Sequence, residues 1–571
     1  MGNRACRPRS GKRDVSPVVP DRDPLLRSAV GRISKYKLGR DFELTETVLG
    51  TGYSGAVRLA KHRTTKQEVA VKQFTKKKMP PHRLPLLKSE VEVYLRLDHP
   101  NICRLLSAYE DRKEVWLVME LCGPELYARL CQQRSYSEHV AAEVLVQMLQ
   151  AVNYLHSERM SVVHRDLKLD NWLYGGDRLK LIDFGFSRIV SEPGETLDLP
   201  CGTLHYTPPE VLERCYTSKC DLWSIGVIAY MLLLGRTPFR GDSNRRIASA
   251  IVRSDFNRSS PWCHLSHQAQ DFVERLLTKD AARRPDAATA LEHCWLSPSR
   301  RATHCADLSE ALPSLRRFAQ GSKLRRAALT VLAYSLTSRE IQDLEGQFVA
   351  LDRDGRGAIS LDDFQQAVLY YGVEQLEVEN IFQSLGPEGP EAEVAYTPFI
   401  AAMLATRVQR HEEKVRAAFE AFDRDRRGYV TAENLVEIFG VQNEGALQLE
   451  EARQWIREVD YKGNGVLDYE EFLAALKGRP LWAMEDLSDD QPAIRVFDSE
   501  TGRPRGHSDS DMVCRRSRHI RHGLAAAIID ESDDCAVKEE FKAQTFQDGV
   551  VLGFQQKIRH VTCAIDESYF A

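Results

Sequence analysis

The sequence has few features of a secreted or membrane-spanning protein. Its 13 cysteines are an odd number and include no C-x-x-C pair, which argues against a disulfide framework. No signal-peptide hydrophobic region follows Met1, and the longest apolar run, residues 225–234, is too short to cross a bilayer. We therefore expect reduced cysteines and a cytoplasmic protein.

An excess of positive charge is also missing. The formal net charge is -4, so the whole protein has no electrostatic case for binding nucleic acid. Hydrophobic residues make up 43% and charged residues 28%, which is ordinary for globular protein. A chain of 571 residues exceeds what one core can hold and suggests three or four domains.

The most informative stretch is residues 164–171, H-R-D-L-K-L-D-N. It fits H-R-D-L-x-x-x-N, the catalytic loop of protein kinases. In such a loop Asp166 can accept the proton of a substrate hydroxyl, and Asn171 can hold a metal ion. Lys168 lies where its ammonium can offset charge on the transferred phosphoryl group. We interpret these three as catalytic residues.

Nucleotide-binding motifs occur in the expected order around this loop. Residues 49–57 fit G-x-G-x-x-G-x-V, and V-A-V-K ends at Lys72, which is placed to bind the α- and β-phosphates. Glu90 is the preferred ion-pair partner of Lys72, with Glu92 as the alternative. Met119 is the predicted gatekeeper beside the adenine. The predicted cofactor-binding residues are Gly50, Gly52, Gly55, Val57, Ala70, Lys72, Met119, Glu120 and Cys122.

The D-F-G sequence at 183–185 supplies the second predicted metal ligand, the carboxylate of Asp183. Asp183 and Asn171 are predicted to hold two Mg²⁺ ions across the phosphates of ATP. Because no required catalytic group is missing, catalysis is favoured over a pseudokinase. Glu210, in a variant of the A-P-E motif, is expected to pair with Arg284. Thr196 and Thr203 lie in the activation segment, where Arg165 could pair with a phosphate.

Features outside the catalytic loop concern substrates and regulation. Lys168 indicates serine/threonine specificity by resemblance to known kinases. Glu125 and Asp170 are placed to receive a basic residue, so we predict protein substrates with Arg-x-x-Ser/Thr sites. Residues 316–319 read R-R-F-A, a basic kinase site with alanine at the acceptor position. Together with the basic amphipathic pattern that follows, this predicts an autoinhibitory junction segment, 298–336, lying over the substrate cleft.

Four helix–loop–helix units are predicted over residues 337–478 from phenylalanines that flank each loop. Measured against D-x-[DN]-x-[DN]-G-x₅-E, loop 1 (352–363) has arginine at position five and aspartate at twelve. Loop 2 has Pro387, Glu388, Gly389 and Pro390 in place of ligands. Loop 3 (423–434) ends in Asn434 and contains Arg427, so it should bind calcium weakly.

Loop 4 (460–471) keeps a closing glutamate, although Lys462 occupies position three. Calcium binding is therefore expected in loop 4 or loop 1. The predicted ligands are Asp460, Asn464, Asp468 and Glu471 in loop 4, and Asp352, Asp354 and Asp363 in loop 1.

Taken in this order, residues 41–478 resemble the calcium-dependent protein kinases of plants and apicomplexan parasites. The run L-T-S-R-E-I at 336–341 is close to the junction of that family. The resemblance implies that the junction holds the kinase inactive until calcium rearranges the EF-hands, without separate calmodulin. The alternatives are a calcium-insensitive serine/threonine kinase with degenerate EF-hands, and a calcium-responsive scaffold pseudokinase.

The predicted fold class is multidomain α+β, a bilobal protein-kinase fold followed by an all-α EF-hand regulatory domain. We expect a disordered basic segment at 1–40, a kinase domain at 41–297 and a C-terminal extension of unknown role at 479–571. Gly2 and Cys6 are candidates for myristoylation and palmitoylation, which would hold the protein at a membrane surface. Ser508 is a candidate autophosphorylation site, and the protein is expected to be a monomer.

Overall fold

A computed structural model describes the kinase and EF-hand regions of the chain. The described residues are 33–34, 37–52, 55–76, 84–111, 113–192, 194–258, 260–297, 308, 311–369, 371–386, 393–439 and 447–478. The predictions for Gly2 and Cys6, for the centre of loop 2 at 387–390, and for the tail with Ser508 lie outside these residues. No helix in the described part combines the length and apolar character that a membrane crossing needs.

The N-terminal lobe is a six-stranded sheet with one helix. Its strand order is β1-β5-β6-β4-β3-β2, and every neighbouring pair is antiparallel except β1 and β5. Valines of β4 are buried on the sheet, as their β-branched side chains favour. The elements are β1 (Ile33–Ser34), β2 (Phe42–Gly52), β3 (Gly55–His62), β4 (Glu68–Thr75), α1 (Leu84–Arg96), β5 (Leu105–Glu110) and β6 (Glu114–Glu120).

The C-terminal lobe is mainly helical and is built around α5, which is buried along nearly its whole length. Two short antiparallel strand pairs, β7 with β10 and β8 with β9, flank the catalytic segments. The elements are α2 (Leu126–Gln133), α3 (Glu138–His156), β7 (Val162–Val163), β8 (Trp172–Gly175), β9 (Arg178–Leu181), β10 (Arg188–Ile189), α4 (Pro209–Leu212), α5 (Lys219–Leu234), α6 (Asn244–Arg253), α7 (His267–Leu276) and α8 (Ala287–Leu291).

The junction and the EF-hand units share one hydrophobic core that runs from Leu308 to Leu476. The junction is therefore part of the EF-hand module, and no structural boundary separates the two at residue 336. The helices are α9 (Ala311–Ala319), α10 (Lys323–Ser335), α11 (Gln342–Leu351), α12 (Leu361–Leu369), α13 (Gln375–Leu385), α14 (Tyr396–Met403), α15 (Glu412–Phe422), α16 (Ala432–Phe439), α17 (Leu449–Arg457) and α18 (Tyr469–Lys477).

Short strands pair the EF-hand loops two by two. β11 (Ala358–Ser360) pairs with β12 (Glu393–Ala395), and β13 (Tyr429–Val430) pairs with β14 (Leu467–Asp468). Ile359 lies opposite Val394, which places the eighth residue of loop 1 at the pairing position expected from the sequence. The predicted fold class, a kinase fold followed by helical EF-hand pairs, is confirmed.

Candidate active site and calcium-binding loops

Lys72 lies between two carboxylates at the back of the nucleotide cleft. Its Nζ is 2.7 Å from Glu90 Oε1 and 2.8 Å from Asp183 Oδ1. Burial alone would lower the pKa of Lys72, but the two carboxylates outweigh burial and raise it. The lysine is therefore a fixed cation. Of the two glutamates that the sequence left open, Glu90 forms the pair, whereas Glu92 pairs with Arg96 on the surface of α1.

Asp183 is held in place by its neighbours. Its backbone N–H donates to the Tyr94 hydroxyl at 3.1 Å, and its φ of 64° turns the chain sharply. The next residue, Phe184, is fully buried against the rings of Tyr94 and His164, each at 5.0 Å between centroids. Burial would raise the pKa of Asp183, but Lys72 lowers it. The carboxylate is thus ionised and faces the cleft.

The catalytic loop brings Asp166 and Lys168 together. Lys168 Nζ is 3.0 Å from Asp166 Oδ2, and the Thr203 hydroxyl donates to Asp166 Oδ1 at 2.9 Å. The Asn171 side-chain amide donates to the Asp166 carbonyl at 2.8 Å. Thr203 was predicted only as an activation-segment residue; its contact with Asp166 makes it part of the catalytic centre.

Asp221 holds the catalytic loop in place through hydrogen bonds. It was not identified from the sequence as a site residue. Its carboxylate accepts the backbone N–H groups of His164 and Arg165, both at 2.9 Å, and contacts His156 Nε2 at 2.8 Å. The side chain is buried, and the only signal for it was an aspartate at the start of an apolar helix. It positions the catalytic loop and does not itself face the cleft.

Arg165 is engaged within the protein. Its guanidinium donates to the Phe186 carbonyl at 2.6 Å and to the Tyr216 hydroxyl at 3.2 Å. These bonds connect the catalytic loop to the activation segment without a phosphate. Further along, Glu210 and Arg284 form the expected pair, with Oε1 and the guanidinium 2.6 Å apart.

The hinge follows the last strand of the sheet. Met119 is buried opposite Ala70, and Glu120 lies opposite Val69. The Glu120 side chain points away from the nucleotide side, toward the EF-hand module, where Ser338 donates to it at 2.6 Å. The side chain is therefore engaged by the module, and a role of Glu120 in nucleotide binding stays a prediction for its main chain. Cys122 is partly buried, with its Sγ 4.0 Å from that of Cys103.

The glycine-rich segment forms the hairpin of β2 and β3. Gly50 lies opposite Val57, and Gly52 lies opposite Gly55, so the glycines lie near the tip of this hairpin. Asn171 and Asp183 offer oxygen ligands of the kind that Mg²⁺ prefers. They would hold magnesium, which would offset the charge of the ATP phosphates. Lys72 would contact phosphate oxygens, and Asp166 would orient the acceptor hydroxyl.

Loop 4 of the EF-hand module has the donor set closest to a calcium site. The Asp460 carboxylate accepts the backbone N–H groups of Gly463 and Gly465, both at 2.7 Å, which is the folded form of such a loop. Glu471 is fully buried at the end of the loop. Lys462 donates to Asp468, so one predicted ligand is partly neutralised. Oxygen donors from Asp460, Asn464 and Glu471 still fit calcium.

Loops 1 and 3 place an arginine on a ligand carboxylate. Arg356 Nε is 2.9 Å from Asp354 in loop 1, and Arg427 Nε is 2.7 Å from Asp425 in loop 3. In loop 3 the Asn434 amide also donates to Asp425 at 3.3 Å, so this loop is closed by its own donors and does not fit calcium.

In loop 1 the first and last ligand positions are better preserved. Asp352 is buried, and burial, reinforced by Asp354, raises its pKa. Asp363 accepts the Ser360 hydroxyl at 2.8 Å and lies only 3.8 Å from Arg353. The loop therefore keeps Asp352 and Asp363 as oxygen donors, with Asp354 engaged by an arginine.

Residues 316–319 do not lie over the substrate cleft, contrary to the prediction. Arg316 pairs with Glu377 at 2.6 Å, Arg317 donates to the Lys477 carbonyl at 2.7 Å, and Phe318 is buried in the EF-hand core. The reason is the apolar face of α9, which buries Leu315 and Phe318 among the EF-hand helices. In this arrangement the junction is part of the EF-hand module that lies against the back of the kinase domain.

The EF-hand module contacts both kinase lobes. Asn153 on α3 donates to the carbonyls of Asp354 and Gly355 in loop 1, both at 3.1 Å. On the other lobe, Arg40 donates to the Arg424 carbonyl in loop 3 at 2.7 Å, and Arg426 pairs with Asp41 at 3.0 Å. Loops 1 and 3 are therefore docking elements as well as EF-hand loops.

This fold and this site define a protein kinase joined to EF-hands. The protein kinase domain family matches residues 44–296, and EF-hand domain pairs match residues 323–369 and 412–477. The first of these pairs begins inside the predicted junction, in agreement with the shared core.

Whole-chain comparisons assign the family. Calcium-dependent protein kinase 3 of Plasmodium berghei (strain Anka) is 30% identical over 449 residues, which cover 76% of this chain and 80% of that protein. Calcium-dependent protein kinase 17 of Arabidopsis thaliana is 35% identical over 461 residues, covering 78% and 84%. The chain belongs to the calcium-dependent protein kinase family. It is a protein serine/threonine kinase that uses ATP and Mg²⁺ and carries calcium-binding EF-hand domains.

Proposed function

We propose that the described arrangement is the active form of a kinase switched by calcium at its own EF-hands. The observation that carries this proposal is the EF-hand module bound across the back of both lobes, with α9 and α10 buried in it and away from Asp166. In the inhibited form, residues 311–335 leave the module and cover the substrate cleft, where R-R-F-A occupies the acceptor site.

A calcium switch of this kind needs a difference in affinity between the two forms. Moving the population from 1:99 to 99:1 takes about 5.5 kcal/mol of differential binding. Loop 4, with Asp460, Asn464, Asp468 and Glu471, supplies most of it, and loop 1, with Asp352, Asp354 and Asp363, the remainder. Because arginines or a lysine engage ligands in these loops, the response is set at a high calcium concentration.

The preferred substrate has arginine three residues before the acceptor. Asp170 is exposed in the catalytic loop. The pKa of Glu125 is raised, first by the partial burial of Glu125 and then by the negative charge of Asp170. Two carboxylates brought together in this way attract a cation. An arginine of the substrate would bind between them while its hydroxyl reaches Asp166.

The test is phosphate transfer from radiolabelled ATP to an Arg-x-x-Ser peptide, with calcium and with chelator. A matched peptide with Ala for Arg reports on Glu125 and Asp170. We expect transfer that depends on calcium and on arginine. Equal transfer with chelator would support the calcium-insensitive alternative, which the arginines on Asp354 and Asp425 favour. A lack of transfer under both conditions would support the scaffold pseudokinase.

For location, we propose a monomeric cytoplasmic protein held at membrane surfaces by acyl chains on Gly2 and Cys6. The basic residues around them add attraction to anionic lipids. Labelling cells with an alkynyl myristate tests this directly. The label should appear on the wild-type protein and disappear from Gly2→Ala, and an unlabelled wild-type protein would contradict the proposal.

A further inference from the structure

A buried cluster of charged side chains joins the back of the kinase domain to the EF-hand module. Glu120 ends β6 and Lys180 lies on β9 of the kinase, while Glu345 lies on α11 of the module. The exposed fraction is 5% for the Glu120 side chain and 0% for those of Lys180 and Glu345. Charges buried this deeply are costly unless they are paired, so each requires the others.

One end of the cluster holds the hinge. The Ser338 hydroxyl donates to Glu120 Oε2 at 2.6 Å, and the Arg104 backbone N–H donates to Oε1 at 2.8 Å. The Arg104 guanidinium in turn donates to the carbonyls of Ala333, at 3.1 Å, and Leu336. Because the main chain of Glu120 forms the nucleotide-binding hinge, residues of the module fix the geometry of that hinge from behind.

The other end of the cluster holds the strand that leads to the metal-binding carboxylate. Lys180 Nζ lies 3.1 Å from Glu345 Oε1, which also accepts the Tyr396 hydroxyl at 2.6 Å. Asp183 follows shortly after β9, and Asn171 immediately precedes β8, the partner of β9. The hairpin that carries Lys180 therefore connects the two residues that would hold magnesium.

The packing at this hairpin leaves little room for adjustment. A Cβ added at Gly175, in β8, would lie 2.9 Å from Lys180 Cγ and 3.4 Å from Ser338 Oγ. Only glycine allows the lysine and the serine to approach each other here. The hairpin and the module are thus closely packed at this point.

The two kinase side chains of the cluster are held in their charged forms by their neighbours. Burial would raise the pKa of Glu120, but Lys180 and Arg104 lower it. Burial would likewise lower the pKa of Lys180, but Glu120 and Glu345 raise it. Glu120 and Lys180 are therefore charged where the docked module contacts them.

We propose that this cluster couples docking of the EF-hand module to nucleotide binding. Ser338, Glu345 and Tyr396 are positioning residues: they hold Glu120 and Lys180, and through them the hinge and the Asp183 strand, in the geometry that binds ATP and magnesium. By reciprocity, bound nucleotide strengthens docking of the module. This deepens the proposed calcium control, which would act partly on ATP affinity, but the coupling itself does not depend on the signal that drives docking.

The experiment measures binding of a fluorescent ATP analogue with Mg²⁺ to the full-length protein. The test variants are Ser338→Ala and Tyr396→Phe, which each remove one hydroxyl from the cluster. The controls are Ser335→Ala, whose hydroxyl donates to the Leu332 carbonyl within α10, and Asp343→Asn, an exposed carboxylate on α11. We expect about three- to tenfold weaker nucleotide binding in the test variants, because only part of the energy of each lost hydrogen bond is transmitted to the nucleotide site, and no change in the controls.

Two further readouts separate positioning from general destabilisation. At saturating ATP, kcat of the test variants should stay within about twofold of wild type, because the reacting groups are intact. Hydrogen exchange across residues 333–345 should slow when nucleotide is added to wild type, and less so in Ser338→Ala. Both readouts depend on the coupling, and a general loss of stability would not reproduce them.

Unchanged nucleotide affinity in both test variants would overturn the proposal. So would an equal loss in test and control variants, or a fall in kcat with nucleotide affinity unchanged. The binding assay is run at saturating calcium, which keeps the module docked under the proposed function, and it requires no catalysis. An intact coupling together with activity that does not respond to calcium would therefore contradict only the proposed function.

Discussion

The catalytic centre and the calcium-binding loops use charge in different ways. In the catalytic centre Asp183 meets Lys72, a cation from a distant strand. In loops 1, 3 and 4 the acidic ligands form ion pairs with cations of their own loop, as Asp354 does with Arg356 and Asp425 with Arg427. A distant cation positions a carboxylate and leaves its site open to a ligand, whereas a neighbouring cation competes with the ion that the site would bind.

This contrast explains why the charges in the catalytic centre favour its ligand, whereas those in the EF-hand loops weaken calcium binding. Lys72 is predicted to contact phosphate oxygens, so its charge would favour binding of the nucleotide together with its metal ion. Arg356 and Lys462 bring positive charge to the position of a divalent ion and lower its affinity. The docking contacts of loops 1 and 3 with the kinase lobes do not depend on any ion. These loops therefore retain a structural role where their calcium affinity is weakened.

The substitution expected to change activity most lies in the catalytic centre. Asp166→Asn removes the acceptor for the substrate proton while keeping the hydrogen bond to Thr203. We expect kcat to fall about 10²- to 10⁴-fold, the usual contribution of a general base. Nucleotide binding should remain near wild type because Lys72, Asn171 and Asp183 are intact. Steady-state peptide phosphorylation measures the first, and fluorescent nucleotide binding measures the second; undiminished turnover would contradict the assigned role.

Breaking loop 4 should have the next largest effect. Glu471→Gln removes the closing carboxylate from the best donor set, so calcium affinity should fall about tenfold or more. Asn434→Gln in loop 3 is the matched control, because that loop is already closed by its own donors. Isothermal titration of the full-length protein with calcium distinguishes the two. A control that weakens binding as much as Glu471→Gln would show that loop 3 is the calcium site.

Restoring an acidic ligand in loop 4 should raise calcium affinity, the opposite of the previous change. Lys462→Asp removes the ammonium that engages Asp468 and restores a carboxylate at position three. We expect calcium affinity to rise about three- to tenfold, together with a lower calcium concentration for half-maximal activity. Lys477→Asp, at the end of α18, changes the charge equally outside the loop. An equal gain in that control would attribute the effect to net charge.

The kinase motifs are continuous and their order is fixed by the chemistry, so the sequence indicated which of their side chains lie together. Lys72 contacts Glu90 and Asp183, and Lys168 contacts Asp166, while the catalytic roles of these residues stay predictions. Thr203 was underestimated, because its contact with Asp166 depends on a turn of the activation segment that spacing alone does not show.

The interface between the kinase and the EF-hand module was less predictable. Lys180 lies in the short strand R-L-K-L and Glu345 in a helix, and neither pattern indicates that the two side chains make contact over a separation of 165 residues. The position of the R-R-F-A segment was predicted over the cleft because its basic residues suggest a substrate. In the structure its apolar residues determine its place, since burying Leu315 and Phe318 in the shared core outweighs any exposed contact of its arginines.

The smallest effect concerns pH and the docking of loop 1. Gly357 lies so close to the kinase that an added Cβ would be 2.6 Å from both His99 and Tyr154 ring atoms. Burial, together with Lys180 and Arg178, holds the pKa of His99 well below its usual 6.5. The unfolded chain then binds this proton more readily than the folded one. Stability should therefore be lost as pH falls below about 6.5, by up to about 1.4 kcal/mol per pH unit.

Thermal unfolding at pH 7.5 and 5.5 measures this contribution. His99→Asn keeps an acceptor for the Asn101 backbone N–H but cannot be protonated, so its unfolding midpoint should fall less on acidification than that of wild type. His139→Asn, at an exposed histidine of α3, should behave like wild type. Other buried histidines, such as His164, contribute in the same direction, so the difference between the variants carries the result. An identical acid sensitivity in His99→Asn and wild type would mean that the loop 1 contact opens before His99 is protonated, and docking there would be weaker than its packing indicates.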